Sequence, residues 1–365
     1  MEPVRVFLCG DVMTGRGIDQ VLGHPGDPAL REPAMDDARD YVRLAEHRSG
    51  PIGRRLPDAA PWGEALGAID ESAPAARVIN LETSVTTSGD FWPGKEVHYR
   101  MHPANVGCLA AARVDVCTLA NNHVLDFGRA GLLETLATLR GAGIATAGAG
   151  ATRAEALAPA SVPLPGGGKL HVFSVGHASS GIPQAWAAGA DLPGVALLPS
   201  LGDDAAEELG ARVRAARGPG DLAIVSIHWG SNWGYDVPVS QVRFAHRLIE
   251  AGVDLVHGHS SHHPRPLEVH RGRLVLYGAG DFLDDYEGIS GHEAFRGDLV
   301  LAYFATLARD GTLLDLRAAP FRLRRLRATR AAEADARWLA NRLTEASAPF
   351  GTRLRLDAHG RLALG

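Results

Sequence analysis

Leu119-Ala120-Asn121-Asn122-His123-Val124-Leu125-Asp126-Phe127-Gly128 brings two amides, an imidazole and a carboxylate to the point where a hydrophobic run gives out. Before it stands the β-rich run Val114-Asp115-Val116-Cys117-Thr118-Leu119, and after it Leu132, Leu133, Leu136 and Leu139 recur at helical spacing. Strand, polar turn and helix follow from that pattern. Open α/β sheets keep their ligands just beyond the carboxyl ends of their strands, so Asn122 and His123 stand where such a fold does its chemistry. A plainer role for the same residues is an asparagine-rich turn that caps its own backbone.

The signature repeats along the chain. Val4 to Cys9 reads as a buried first strand ending at Asp11, and Ala76 to Leu81 as a second ending at Glu82. Asp221 to Ile227 is a third, closing on His228-Trp229-Gly230. Val253 to Val256 then opens into His257-Gly258-His259-Ser260-Ser261-His262-His263, a histidine cluster that marks a metal or acid/base site. Leu274 to Tyr277 leads through a glycine turn to Asp281. Asp11, Glu82, Asn122, His228 and His257 are therefore the candidate metal ligands, each at the end of an expected strand. The mixed aromatic and basic loop from Thr83 to Pro103 either contacts a substrate or packs over the sheet. Asp284, Asp285, Glu287 and His292 read as a solvated loop, and Trp229 and Trp233 as core or lid packing.

Bulk composition narrows the field. A chain of 365 residues, 45% hydrophobic, can bury a sizeable core. Its formal charge of -5 provides no basic field for nucleic acid, and Arg322 to Arg327 reads as a solvated strand face. Cys9, Cys108 and Cys117 cannot all pair with one another, which suits a reducing compartment. No export signal follows Met1, and no apolar window approaches the ~20 residues a bilayer crossing needs. A cytoplasmic protein without membrane contact is expected. Residues 1–305 are expected to form the metal-site domain, with strands and a helix in 306–365 completing it.

Together, Gly10-Asp11-Val12-Met13, Asn80-Leu81-Glu82, Ala120-Asn121-Asn122-His123, His228-Trp229-Gly230 and Gly258-His259 to His262 resemble the CapA (poly-γ-glutamate synthesis) branch of the calcineurin-like metallophosphatase superfamily. The resemblance runs from about Val4 to Phe304 and implies an α/β four-layer sandwich, two mixed β-sheets flanked by helices, with metal ligands on loops at the strand ends. Two departures matter. Asp11-Val12-Met13 stands where binuclear phosphatases carry Asp-x-His, and Asn80-Leu81-Glu82 where they carry a bridging aspartate. One metal position is therefore expected, and phosphoryl transfer by paired ions is disfavoured.

Within that branch the chain is similar to soluble lasso-peptide epimerases. This implies a metal-dependent isomerase that inverts the Cα of the C-terminal tryptophan of a ribosomally made precursor peptide, its expected partner. Inversion needs a base on one face and an acid on the other. His123 with Asp126 forms one expected pair, since the carboxylate follows in the same turn and can fix the tautomer; His259 with Asp281 or Asp11 forms the second. The resemblance favours a single Ca²⁺, whereas the imidazoles favour Zn²⁺ or Mn²⁺. Two other functions fit the same residues: a metallophosphoesterase of unknown substrate, and a CapA-type protein that binds poly-γ-glutamate or peptide without turnover.

Overall fold

The computed structural model describes residues 2–365. Its principal elements, in chain order, are β1 (Val4–Val12), β2 (Ala76–Leu81), β3 (Val116–Thr118), α1 (Gly128–Gly141), β4 (Ala145–Ala147), β5 (Lys169–His177), α2 (Asp203–Ala216), β6 (Leu222–His228), α3 (Val239–Glu250), β7 (Leu255–His259), β8 (Leu267–His270), β9 (Arg273–Leu276), β10 (Asp281–Leu283), β11 (Leu299–Leu307), β12 (Leu313–Leu323), β13 (Leu354–Leu356) and β14 (Leu362–Leu364). They build two large mixed sheets.

The first sheet runs β13-β14-β12-β11-β1-β2-β3-β4, with β10 pairing to β1 as well. Its β1 to β4 half is parallel, and β11 turns it antiparallel. The second sheet runs from Leu197–Leu198 through β5, β6, β7 and β9 to β8 at its edge. Only the last of those pairings, β8 with β9, is antiparallel.

Strand alternation sorts the side chains into layers. Val4, Val6 and Leu8 of β1 meet Leu222 and Ile224 of β6 in a core between the sheets. Phe7 and Cys9 face the other way, toward a core that includes Leu132, Leu136 and Leu139 of α1. Ala223, Val225 and Ile227 are covered by Leu209 and Val213 of α2 and by Phe244 and Leu248 of α3. Helix, sheet, sheet, helix is the order of layers, as expected for the fold class. Leu133, expected on the apolar stripe of α1, instead faces solvent at 42% exposure.

Residues beyond 305 extend the first sheet through β12, β13 and β14, and Leu339, Ala340 and Leu343 enter the core between the sheets. One close approach fixes the strand ends. A Cβ at Gly10 would lie 1.6 Å from the Gly280 carbonyl oxygen, the same oxygen that accepts the Asp11 N–H at 2.9 Å. Only glycine lets the two segments come that near, and the approach sets Asp11 abreast of Asp281.

Candidate metal centre

Strand ends from both sheets meet at the floor of one cleft. In the first sheet Asp11 is in register with Asn80 of β2 and Asp281 of β10. In the second, His228 is in register with His259. Adjacent parallel strands thus hold two imidazoles side by side, with their Nδ1 atoms 2.8 Å apart. Asp11, His228 and His259 are all buried and offer ligand atoms within 4.8 Å of one another.

Outer contacts hold that triad in place. Asn80 Nδ2 donates to Asp11 Oδ1 at 2.7 Å and to Glu82 Oε2 at 2.6 Å, so a single amide ties two carboxylates. Ser226 Oγ lies 2.8 Å from His259 Nε2, and the Ser260 N–H donates to Asp11 Oδ2 at 3.2 Å. Glu82 and Asn122 border the triad: His228 Nε2 is 2.9 Å from Asn122 Oδ1 and 3.5 Å from Glu82 Oε1. Partners of this kind orient metal ligands in many proteins.

Burial dominates the electrostatics of the site. Burial, then repulsion from Asp281, pushes Asp11 well above the usual carboxylate range; burial and Asp11 do the same to Glu82, and burial and Asp281 to Asp284. Burial, with repulsion from neighbouring cationic groups, holds His228 and His259 well below the ordinary imidazole value, so both are neutral and present lone pairs. The carboxylates repel one another beside two neutral imidazoles, with His262 and Lys95 offsetting only part of the negative charge. A divalent ion fits this donor set.

His257 does not join the set. It lies two residues back along β7, roughly 7 Å deeper, where its Nε2 meets the Cys9 carbonyl at 2.9 Å and its Nδ1 meets Ser226 Oγ at 3.1 Å. This corrects its expected place among the ligands. His259, expected to transfer protons, stands in the ligand triad with Nδ1 3.7 Å from Asp11 Oδ1. The expected pairing of His259 with Asp281 is absent, because Asp281 is taken by His262 at 3.0 Å. Burial opposes charge on His262, yet Asp281, Asp11 and Asp284 outweigh it and hold the imidazole up at about 9.

His123 and Asp126 meet at 2.7 Å between Nδ1 and Oδ2. The Tyr99 N–H donates to the same oxygen at 2.7 Å, Lys95 Nζ donates to the other, and the Tyr99 ring stacks on His123 at 3.7 Å. Burial pushes Asp126 up to about 6 against the pull of Lys95, while burial, Lys95 and Arg16 hold His123 well below its usual value. His123 is therefore a neutral imidazole on the cleft wall, its Nδ1 set between Asp126 Oδ2 at 2.7 Å and Lys95 Nζ at 3.1 Å. The capping role falls to Asn121, whose Oδ1 accepts the His123 and Val124 N–H groups at 3.1 and 3.0 Å.

Several residues of the site escape sequence reasoning. Lys95 and Tyr99 come from the loop whose role the sequence left open. Asp284 and Asp285 are buried rather than solvated, with Asp285 accepting from Arg16 Nε at 3.2 Å and from the Gly17 N–H at 2.8 Å. Trp229 packs in the core against Phe244 and Tyr277, whereas Trp233 stacks on His292 at 4.1 Å along the cleft. The cleft has a volume of about 1210 Å³, and Asp11, Glu82, His123, His228, His262 and Asp281 are among its lining residues.

Buried strand-end carboxylates and imidazoles at the base of an open cleft form a candidate metal centre in a two-sheet α/β fold. The chain belongs to the bacterial capsule synthesis protein PGA_cap family, which it matches over residues 5–286. It is 51% identical over 355 residues, 97% of this chain and 93% of the relative, to a probable polyglutamine synthesis accessory protein of Mycobacterium tuberculosis strain H37Rv. A PGA biosynthesis protein CapA of Bacillus subtilis is 28% identical over 56% of this chain and 52% of its own length. The crystal structure of a 5'-nucleotidase precursor from Thermus thermophilus superposes with a TM-score of 0.48 at 15% identity, covering 93% of this chain and 58% of that one, a likeness too distant to carry chemistry. The mycobacterial relatives are described as probable polyglutamine synthesis accessory proteins and the Bacillus one as a PGA biosynthesis protein, none as an isomerase, which corrects the expected peptide epimerase. Among the described residues no helix is long and apolar enough to cross a membrane.

Proposed function

We propose that the cleft is the working site of an accessory protein in the making of a glutamate- or glutamine-based polymer, where it holds one residue of that chain against a divalent ion. Asp11, His228 and His259 would carry the ion, with Glu82 and Asn122 beside them. When bound, it would supply a Lewis-acidic centre for a carboxylate or amide oxygen. Two imidazoles in the donor set favour Zn²⁺ or Mn²⁺ over Ca²⁺. The remaining work falls to the protein's own groups. His123, neutral and fixed by Asp126, can accept a hydrogen bond from the held chain, and charged His262 can donate one.

One observation carries this reading: a cation-seeking floor beneath a cleft of about 1210 Å³, in a chain 51% identical along 97% of its length to a polyglutamine synthesis accessory protein. Calorimetric titration of the chelator-treated protein with poly-γ-glutamate oligomers or polyglutamine peptides, with and without added Zn²⁺ or Mn²⁺, tests it. Metal-dependent binding of one polymer at unchanged chain length is expected, with a loss of at least about tenfold in Asp11→Asn. Metal-independent binding, or binding of neither polymer, contradicts it; shortening of the polymer replaces holding by cleavage.

A further inference from the structure

A second group of metal-ligand side chains lies away from the cleft, where α3 crosses the edge of the second sheet. Glu268 and His270 occupy alternate positions of β8 and so share one face of the strand. His246 of α3 meets them there: its Nε2 is 3.0 Å from both Glu268 oxygens. His270 Nδ1 lies 3.7 Å from Glu268 Oε1, and the two imidazoles stack with centroids 3.7 Å apart and planes inclined by 7°. All three ligand atoms fall within 4.8 Å of one another.

We infer that His246, Glu268 and His270 form a second divalent transition-metal site, suited to Zn²⁺, that clips α3 to the edge strand. Three features separate this group from an ordinary histidine–glutamate ion pair. Neither nitrogen of His270 makes a hydrogen bond: Nε2 is buried without a partner, and Nδ1 stands beyond hydrogen-bond reach of the carboxylate. Glu268 is already oriented from behind by Tyr277, whose hydroxyl donates to Oε2 at 2.6 Å, the outer contact typical of a ligating carboxylate. The side chains are 29%, 10% and 20% exposed, closed enough to hold an ion and open enough to admit one with a water in the fourth position. Sharing an ion requires one ring to turn out of the parallel stack, and His270 is the ring that no hydrogen bond holds.

Both centres would take zinc, so the test must separate them. The full chain is stripped with chelator, reloaded with Zn²⁺ and assayed for bound metal. In parallel, histidine modification by diethylpyrocarbonate is mapped by mass spectrometry. Two equivalents are expected in the unaltered protein and one in Asp11→Asn/His228→Ala, with His246 and His270 protected by zinc in both. Adding His270→Ala or Glu268→Gln to that variant is expected to weaken the remaining equivalent by more than about 100-fold, while circular dichroism reports the same fold. Glu268→Gln keeps the shape of the side chain, which covers the case of a variant that does not fold. Retention of the equivalent in both added variants, or no zinc protection of His246 and His270, overturns the inference.

Discussion

The two centres draw on the same side-chain types and differ in how the fold supplies them. At the cleft, Asp11, His228 and His259 come from strands of two different sheets and are buried. At the edge, Glu268 and His270 come from one short strand and His246 from the helix above it, partly exposed. The first centre requires the whole sandwich to be assembled before its ligands meet, whereas the second needs one strand and one helix. Burial also changes the electrostatics, because Asp281 repels Asp11 and Asp284, and Asp11 repels Glu82, where burial weakens screening by water.

That contrast is open to challenge first through stability. Asp285→Ala leaves the buried Arg16 guanidinium short of a partner and is expected to cost about 3–5 kcal/mol in chemical denaturation. His246→Ala at the partly exposed edge is expected to cost less than about 1 kcal/mol without metal. Similar losses in the two variants would erase the distinction. Next in size, Asn80→Ala removes the amide shared by Asp11 and Glu82 and is expected to weaken metal binding at the cleft by about 10- to 100-fold, leaving the edge centre unaffected in competition with a chromophoric chelator. Tyr277→Phe makes the converse change, about tenfold at the edge alone.

The smallest effect is a pH dependence. The His262 imidazole titrates at about 9 in the folded chain against an ordinary value near ~6.5 when unfolded. Its partner Asp281 thus adds stability that is fully present below pH ~6.5 and fades as pH rises through about 9. Urea midpoints of the metal-stripped protein should fall across that window, and His262→Gln should flatten the fall.

Much of the cleft was legible because its residues obey one rule, that chemistry sits at the carboxyl ends of buried strands. Asp11, Glu82, Asn122, His228 and His123 follow it, and the structure brings them together. The rule marks a strand end only to within a residue or two. His257 and His259 share a face of β7, yet only His259 reaches the end; two residues of depth separate a ligand-set histidine from one bonded to Cys9. Lys95 was out of reach, and Tyr99 was legible only as part of a loop that either contacts a substrate or packs over the sheet, because a loop position carries no periodicity to say where it points. Asp284 and Asp285 misled because an acidic run ordinarily seeks water, and nothing local announces that Arg16, 269 residues from Asp285 in sequence, will cover one of them.

Asp11, His228 and His259 are proposed to share one divalent ion. Anomalous scattering from crystals grown with Mn²⁺ or Zn²⁺ addresses it most directly. One strong peak among His228, His259 and the Asp11 carboxylate, separate from any at the edge centre, is expected; no peak there, or one coordinated by His257, rules that sharing out.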